Sequence, residues 1–188
     1  MIPIAVVLTI AVVGLLLVVA LWLMTTYNGL VTLRQAVKNA WAQIDVQLKR
    51  RHDLIPNLVS TIKGYAAHER DTLERVITAR AKATSATLPA DVIKAEGELS
   101  SALARLMAIS ESYPELKANQ NFLSLQEELT STENRVAYAR QFYNDNVTKL
   151  NTRIQTFPTV AVAGMFGFKE EPFFKAPAES KEAPKVQF

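Results

Sequence analysis

Before Arg34 the chain has no Asp, Glu, His, Lys or Arg, and Ile2 to Met24 is an apolar run of 23 residues interrupted only by Pro3, Thr9 and Gly14. A helix rises about 1.5 Å per residue, so such a run covers the roughly 30 Å hydrocarbon core of a bilayer. Trp22 and Tyr27 stand where an interfacial aromatic belt would lie. A cleaved signal peptide would carry a basic leading region and a small-residue cleavage site, and neither is present, so residues 1–27 read as an uncleaved transmembrane anchor. Arg34, Lys38, Lys49, Arg50 and Arg51 follow the run and no Lys or Arg precedes it. The positive-inside rule therefore predicts a single-pass protein with the rest of the chain in the cytoplasm.

Composition narrows the function classes. There is no cysteine, which excludes disulfides, thiolate metal sites and a cysteine nucleophile. Lys and Arg number 21 against 18 Asp and Glu, interleaved with no basic stripe, so nucleic acid is excluded as an expected partner.

After the anchor the pattern is helical. Only Pro56, Pro89 and Pro114, with Gly29, Gly64 and Gly97, punctuate the stretch from Tyr27 to Phe157. Apolar residues recur every three or four positions. The reading is all-α: an antiparallel four-helix bundle over residues 28–157, with helices at roughly 28–63, 68–85, 91–112 and 115–156. Gly64 is only a modest breaker, so the alternative is three helices with the first running on to Ser85. Two seams of seven-residue period support long, coiled-coil-like packing. One is Phe122, Leu129, Val136, Tyr143, Leu150 and Phe157, accompanied by Asn119, Gln126, Glu133, Arg140, Val147 and Ile154. The other is Leu30, Val37, Ile44, Arg51, Leu58 and Tyr65, which places Arg51 on the packing face.

The stretch RRHDLIPNLV, Arg50 to Val59, holds the candidate site. Arg50, Asp53 and Asn57 share one helix face. Pro56 cannot donate to the carbonyl of His52 and crowds that turn, so a loosened turn is expected, with Arg or Asn side chains bonding the freed carbonyl. The structural reading is a polar network of Arg50, Arg51, Asp53, Pro56 and Asn57, continued across the seam by Asn119, Gln126, Glu133 and Arg140. In an antiparallel bundle Arg51 faces the level of Val136, one turn from Glu133, which predicts an Arg51–Glu133 ion pair. The competing reading is a metal-dependent or enzymatic site centred on Arg50–Asn57. Adjacent His52 and Asp53 diverge by about 100° and cannot form a dyad with each other. His68-Glu69 begins like a zincin motif, but Thr72 replaces its second histidine. No catalytic residue, metal ligand or cofactor is therefore assigned.

Several stretches carry a family likeness: NAWAQIDVQLKRRHDLIPNLV (39–59), YAAHE (65–69), YPELKANQNFLSLQEELTSTENRVAYARQFYN (113–144), Phe157–Pro158 and Gly167–Phe168. In these the sequence resembles the LemA family of bacterial membrane proteins. The resemblance implies one N-terminal membrane helix, a helical bundle, no established enzymatic activity, and a candidate partner in an HtpX-type membrane zinc protease. His52 departs from the pattern, at a position expected to vary.

Residues 158–168, mostly apolar, are too short to cross a bilayer, and read equally as a segment folded over the bundle's open end or as an interfacial or docking patch. Residues 169–188 are rich in Lys, Glu, Pro and Ala and read as a flexible tail. Phe173, Phe174, Val186 and Phe188 are its candidate partner-binding residues, suited to capture by strand addition. The expected function is a membrane-anchored, non-enzymatic scaffold or adaptor. It self-associates as a homo-oligomer in the bacterial inner membrane and binds a membrane protein.

Overall fold

The computed structural model describes residues 3–174, all of whose regular structure is helical. In chain order the helices are α1 (Ile4–Lys63), α2 (Arg70–Ser85), α3 (Pro89–Ser110), α4 (Pro114–Lys117), α5 (Gln120–Gln155) and α6 (Thr159–Met165). Anchor and first bundle helix are one uninterrupted helix, because no residue between Met24 and Leu30 breaks the hydrogen-bond ladder. The chain forms two compact units.

The first unit takes residues up to Ala40 together with Asn144–Glu171. Its apolar N-terminal stretch is long and apolar enough to cross a membrane, and its side chains are bare, with Leu15 to Val18 each 60% or more exposed. Thr9 donates to the Ala5 carbonyl (2.8 Å) and Thr25 to the Leu21 carbonyl (3.0 Å), so both hydroxyls are satisfied within the helix, as an apolar medium requires. Further along, Leu30, Val37, Val147, Leu150 and Val162 are buried together in this unit's interior.

The apolar segment after α5 folds onto α1. Helix α6 ends with Gly167 in the left-handed region (φ 68°), and the Phe168 N–H reaches the Ala163 carbonyl (2.9 Å). That is a Schellman closure, which glycine enters without steric cost. It turns Phe168 back against Tyr27 (ring centroids 5.8 Å apart) and under the Arg34 guanidinium (5.0 Å). Within this unit Val162, Ala163 and Phe168 are buried, whereas Met165 and Phe166 stay exposed.

The second unit is the four-helix bundle: α1 from Trp41, α2, α3, and α5 up to Tyr143, with Pro172, Phe173 and Phe174. The loop at Gly64 does end the first helix, so the bundle has four long helices and not three. Pro89 and Asp91 in the first turn of α3 suit its start, and Lys82 the last turn of α2. Three contacts set α1 antiparallel to α5: Trp41 with Tyr143, Arg51 with Glu133, and Tyr65 with Asn119. Each step forward along α1 is matched by an equal step back along α5. The core joins Ile55, Leu58 and Ile62 to Val76, Leu99, Leu106, Leu116 and Phe122.

Three boundaries differ from the sequence reading. The last long helix does not begin at 115. The turn α4 comes first, and α5 starts after Asn119, whose side-chain oxygen accepts from the Phe122 N–H (3.0 Å) and so caps the new helix. The seam of seven-residue period stops at Leu150, since Phe157 is 83% exposed, beyond the end of α5. Residues 169–174 are tied down at points while mostly exposed: Asn151 exchanges two hydrogen bonds with the Glu171 backbone, both 2.9 Å, Tyr143 donates to the Pro172 carbonyl (2.8 Å), and Phe174 is buried.

Candidate functional site

Arg51 projects from α1 into the bundle and is 2% exposed. Its Nη1 donates to Glu96 Oε2 on α3 (3.0 Å), and its Nη2 to Ser100 Oγ (2.9 Å) and Glu133 Oε2 on α5 (3.1 Å). The next residue, His52, is also buried, and its Nε2 donates to the other oxygen of Glu96 (2.6 Å). From α2, Arg80 Nε donates to the His52 carbonyl (2.8 Å). Two consecutive residues of α1 thus engage all three other helices of the bundle. Glu96, fully buried, is the hub, because it receives both cation-capable side chains at once.

The carbonyl that Pro56 leaves without a donor is the one Arg80 bonds, and α1 continues through the proline. The Arg51–Glu133 pair is present, but it is the outer half of the arrangement: the Glu133 side chain is 44% exposed, that of Glu96 0%.

The remaining residues of the expected network lie elsewhere. Arg50, Asp53, Pro56 and Asn57 are exposed. Asp53 pairs with Lys49 across one helical turn (2.9 Å) and not with Arg50; that bond, with Arg80's charge adding to it, holds the Asp53 carboxyl below its usual pKa. Asn119 caps α5 and donates to the Tyr65 hydroxyl (2.9 Å). Gln126 lines an open cleft of about 370 Å³ with Arg51 at its floor, Glu133 at its polar rim, and Leu103, Met107 and Leu129 as apolar wall. Arg140 stacks over the Phe174 ring (4.4 Å), and burial pulls its guanidinium below the usual pKa, an effect the negative charge of Glu133 partly offsets.

Phe174, expected to meet a partner, instead meets its own chain. It is 4% exposed, against Arg140 and the Trp41 ring (centroids 6.2 Å apart). Phe173 is 46% exposed; Val186 and Phe188 lie outside the described residues.

Sequence reasoning misses Glu96, Ser100 and Arg80, and misjudges His52 as incidental. A signal for Glu96 is available. It shares a seven-residue register with Leu103 and Ser110 on the buried face of α3, the same signature that marks Arg51. Among the described residues no group of three or more His, Asp or Glu is placed to hold a metal ion.

The LemA family model matches residues 40–188, most of the chain and all of the bundle. The chain belongs to the LemA family. Protein LemA of Metamycoplasma hominis is 25% identical over 150 residues, covering 79% of this chain and 68% of that protein. Magnetosome protein MamQ of Magnetospirillum gryphiswaldense is 25% identical over 198 residues, covering 92% and 72%. Magnetosome protein MamQ 2 of Paramagnetospirillum magneticum is 25% identical over 179 residues, covering 81% of this chain. The match spans 66% of that relative, just under two thirds of its length. With its bare apolar stretch on α1, this LemA-family chain is a membrane protein.

Proposed function

We propose that the protein is a non-enzymatic adaptor held in the bacterial inner membrane by the apolar stretch of α1, with its bundle in the cytoplasm. There it self-associates and binds a second membrane protein, for which an HtpX-type zinc protease is the candidate. The observation that carries this reading is the run of bare aliphatic side chains on α1, a surface that lipid must cover. The buried cluster supports the non-enzymatic part. Arg51 divides its bonds among Glu96, Ser100 and Glu133, and His52 bonds Glu96, so both tie helices together; Arg51 reaches the floor of the open cleft, but His52 does not line it, and no nucleophile is paired with a base there.

Isolation from native membranes tests the adaptor role: a second membrane protein is expected in near-stoichiometric amount, with no bound metal. Recovery of the chain alone, or of a metal-loaded hydrolase activity intrinsic to it, overturns the reading. Orientation is tested separately, since the chain has no native cysteine. Ser131→Cys, at an exposed position of α5, should resist a membrane-impermeant maleimide in spheroplasts and react once the membrane is opened. Labelling of intact spheroplasts places the bundle outside the cytoplasm.

A further inference from the structure

Helix α6 is apolar on both of its sides. Thr159, Val162 and Ala163 turn inward and are buried. The opposite side carries Val160 (45% exposed), Ala161, Gly164 and Met165 (73%), with Phe157 (83%) just before the helix and Phe166 (52%) just after it. No charged side chain occurs between Arg153 and Lys169. Four large apolar side chains bared on so short a stretch mark a surface that another body covers. The neighbourhood of that surface within the first unit identifies the body. The Phe166 ring packs on Tyr27 (centroids 4.8 Å apart). Tyr27 stands one turn, about 4.5 Å, beyond Met24, where the bare apolar run of α1 ends. The exposed side of α6 is therefore continuous with a surface that lipid covers. Arg34 marks the upper limit: its guanidinium lies over Phe168 (5.0 Å), and it is the first charged side chain of α1, two turns or about 10 Å past Tyr27. Helix α6 thus occupies the level between the last residue of the apolar run and the first charge, which is the level of the headgroup layer.

We propose that α6, with Phe157 and Phe166 at its ends, is a second membrane contact: a short helix lying in the bilayer interface beside the point where α1 leaves it. Phe157, Val160 and Met165 enter the upper acyl chains, and Thr159, Val162 and Ala163 hold the helix to the rest of its unit. The contact is apolar, so a neutral phosphatidylcholine surface suffices. Its consequence is orientation. A lone span is free to tilt and to turn about its own axis, and interfacial anchors and packed neighbours are what restrict both. Tyr27 joins the two contacts, since it touches both Phe166 and Phe168, so α6 at the interface fixes the tilt and the facing of the unit to which it belongs. The proposal rests on α1 standing in lipid and not on the adaptor role.

Quenching by brominated lipid tests it on the full-length protein in phosphatidylcholine vesicles, with no partner present. The chain has no native cysteine, so single variants take one fluorophore each: Met165→Cys on α6, Leu15→Cys within the apolar run, and Ser131→Cys on exposed α5 as the aqueous reference. An interfacial helix lies about 5–10 Å into the headgroup and acyl boundary, so lipid brominated near the head of its chains should dim the label at 165 by about twofold. The label at 131 should not change, and the label at 15 should be dimmed by lipid brominated deep in its chains. Dimming at 15 without dimming at 165 overturns the inference and leaves the span standing. No dimming at either position removes the span and the inference with it. Disulfides between chains through Met165→Cys under mild oxidation also overturn it, since a second copy is then what covers α6.

Discussion

Glu96→Leu is expected to cost about 3–5 kcal/mol, because it leaves the buried Arg51 guanidinium without its fully desolvated partner. In a domain of this size that corresponds to a Tm lower by roughly 10 °C or more. Arg51→Leu should fall by a similar amount, because Glu96 would then be buried with only His52 beside it. The double variant should recover most of one loss. A hydrophobic pair of similar volume removes both charges, and the desolvation that opposed the ion pair disappears with them. Glu133→Leu should be far milder, about 1 kcal/mol or less, because nearly half of that side chain is open to water. Thermal melts of the four variants decide the matter. If Glu133→Leu matches Glu96→Leu, the outer carboxylate and not the hub carries the lock. If the double variant falls by the sum of both single losses, the two side chains do not act as a pair.

The asymmetry between the two carboxylates bears on what the cluster is for. A buried ion pair need not make a fold more stable than apolar residues would, but it does penalise alternative registers. Four long helices with seven-residue apolar repeats can slide by a heptad and still bury apolar side chains. Arg51 meeting Glu96 on α3 and Glu133 on α5, with Arg80 of α2 on the adjacent carbonyl, removes that freedom for all four helices at once.

How far the sequence reaches depends on whether a feature repeats. Seven-residue seams are cumulative, so the all-α class, the antiparallel bundle and the inward placement of Arg51 are legible from spacing alone. The Arg51–Glu133 pairing is legible too, since an antiparallel register follows once both ends of α1 and α5 are placed. Glu96 carries the same register signal on α3, but finding its partner requires knowing which helices are diagonal and which adjacent, and periodicity in one helix does not supply that. His52 is misjudged for a related reason. It lies next to Arg51, where a helix turns side chains by about 100°, so it looks peripheral, yet a carboxylate with two oxygens can serve both neighbours. Single-residue events are the hardest to see. The break at Asn119 comes from one side-chain cap, and the seating of Phe174 comes from one aromatic socket. Neither repeats along the chain.

The Pro56 turn gives the sharpest separation of backbone from side-chain effects. In the wild-type chain the His52 carbonyl lacks its helical donor and accepts from Arg80 Nε at 2.8 Å. Arg80→Ala should therefore cost about 1–2 kcal/mol, the lower part of the penalty for stranding a buried acceptor, because this one is only partly buried. Pro56→Ala supplies the missing N–H and removes the ring that crowds the turn. Pro56 is exposed, so no packing is lost. That variant should be more stable than wild type, by up to about 3 kcal/mol if the full interior-helix penalty of proline is relieved. The informative measurement is the combination. In the Pro56→Ala background a backbone N–H already serves the carbonyl, so Arg80→Ala should lose at least half of its effect there. The two substitutions are then coupled by about 1 kcal/mol. Denaturant unfolding of the four proteins reads this coupling directly. Strict additivity would mean that Arg80 acts through its charge near Asp53 and not through the carbonyl, and the account of how α1 carries a proline through its length would then fail.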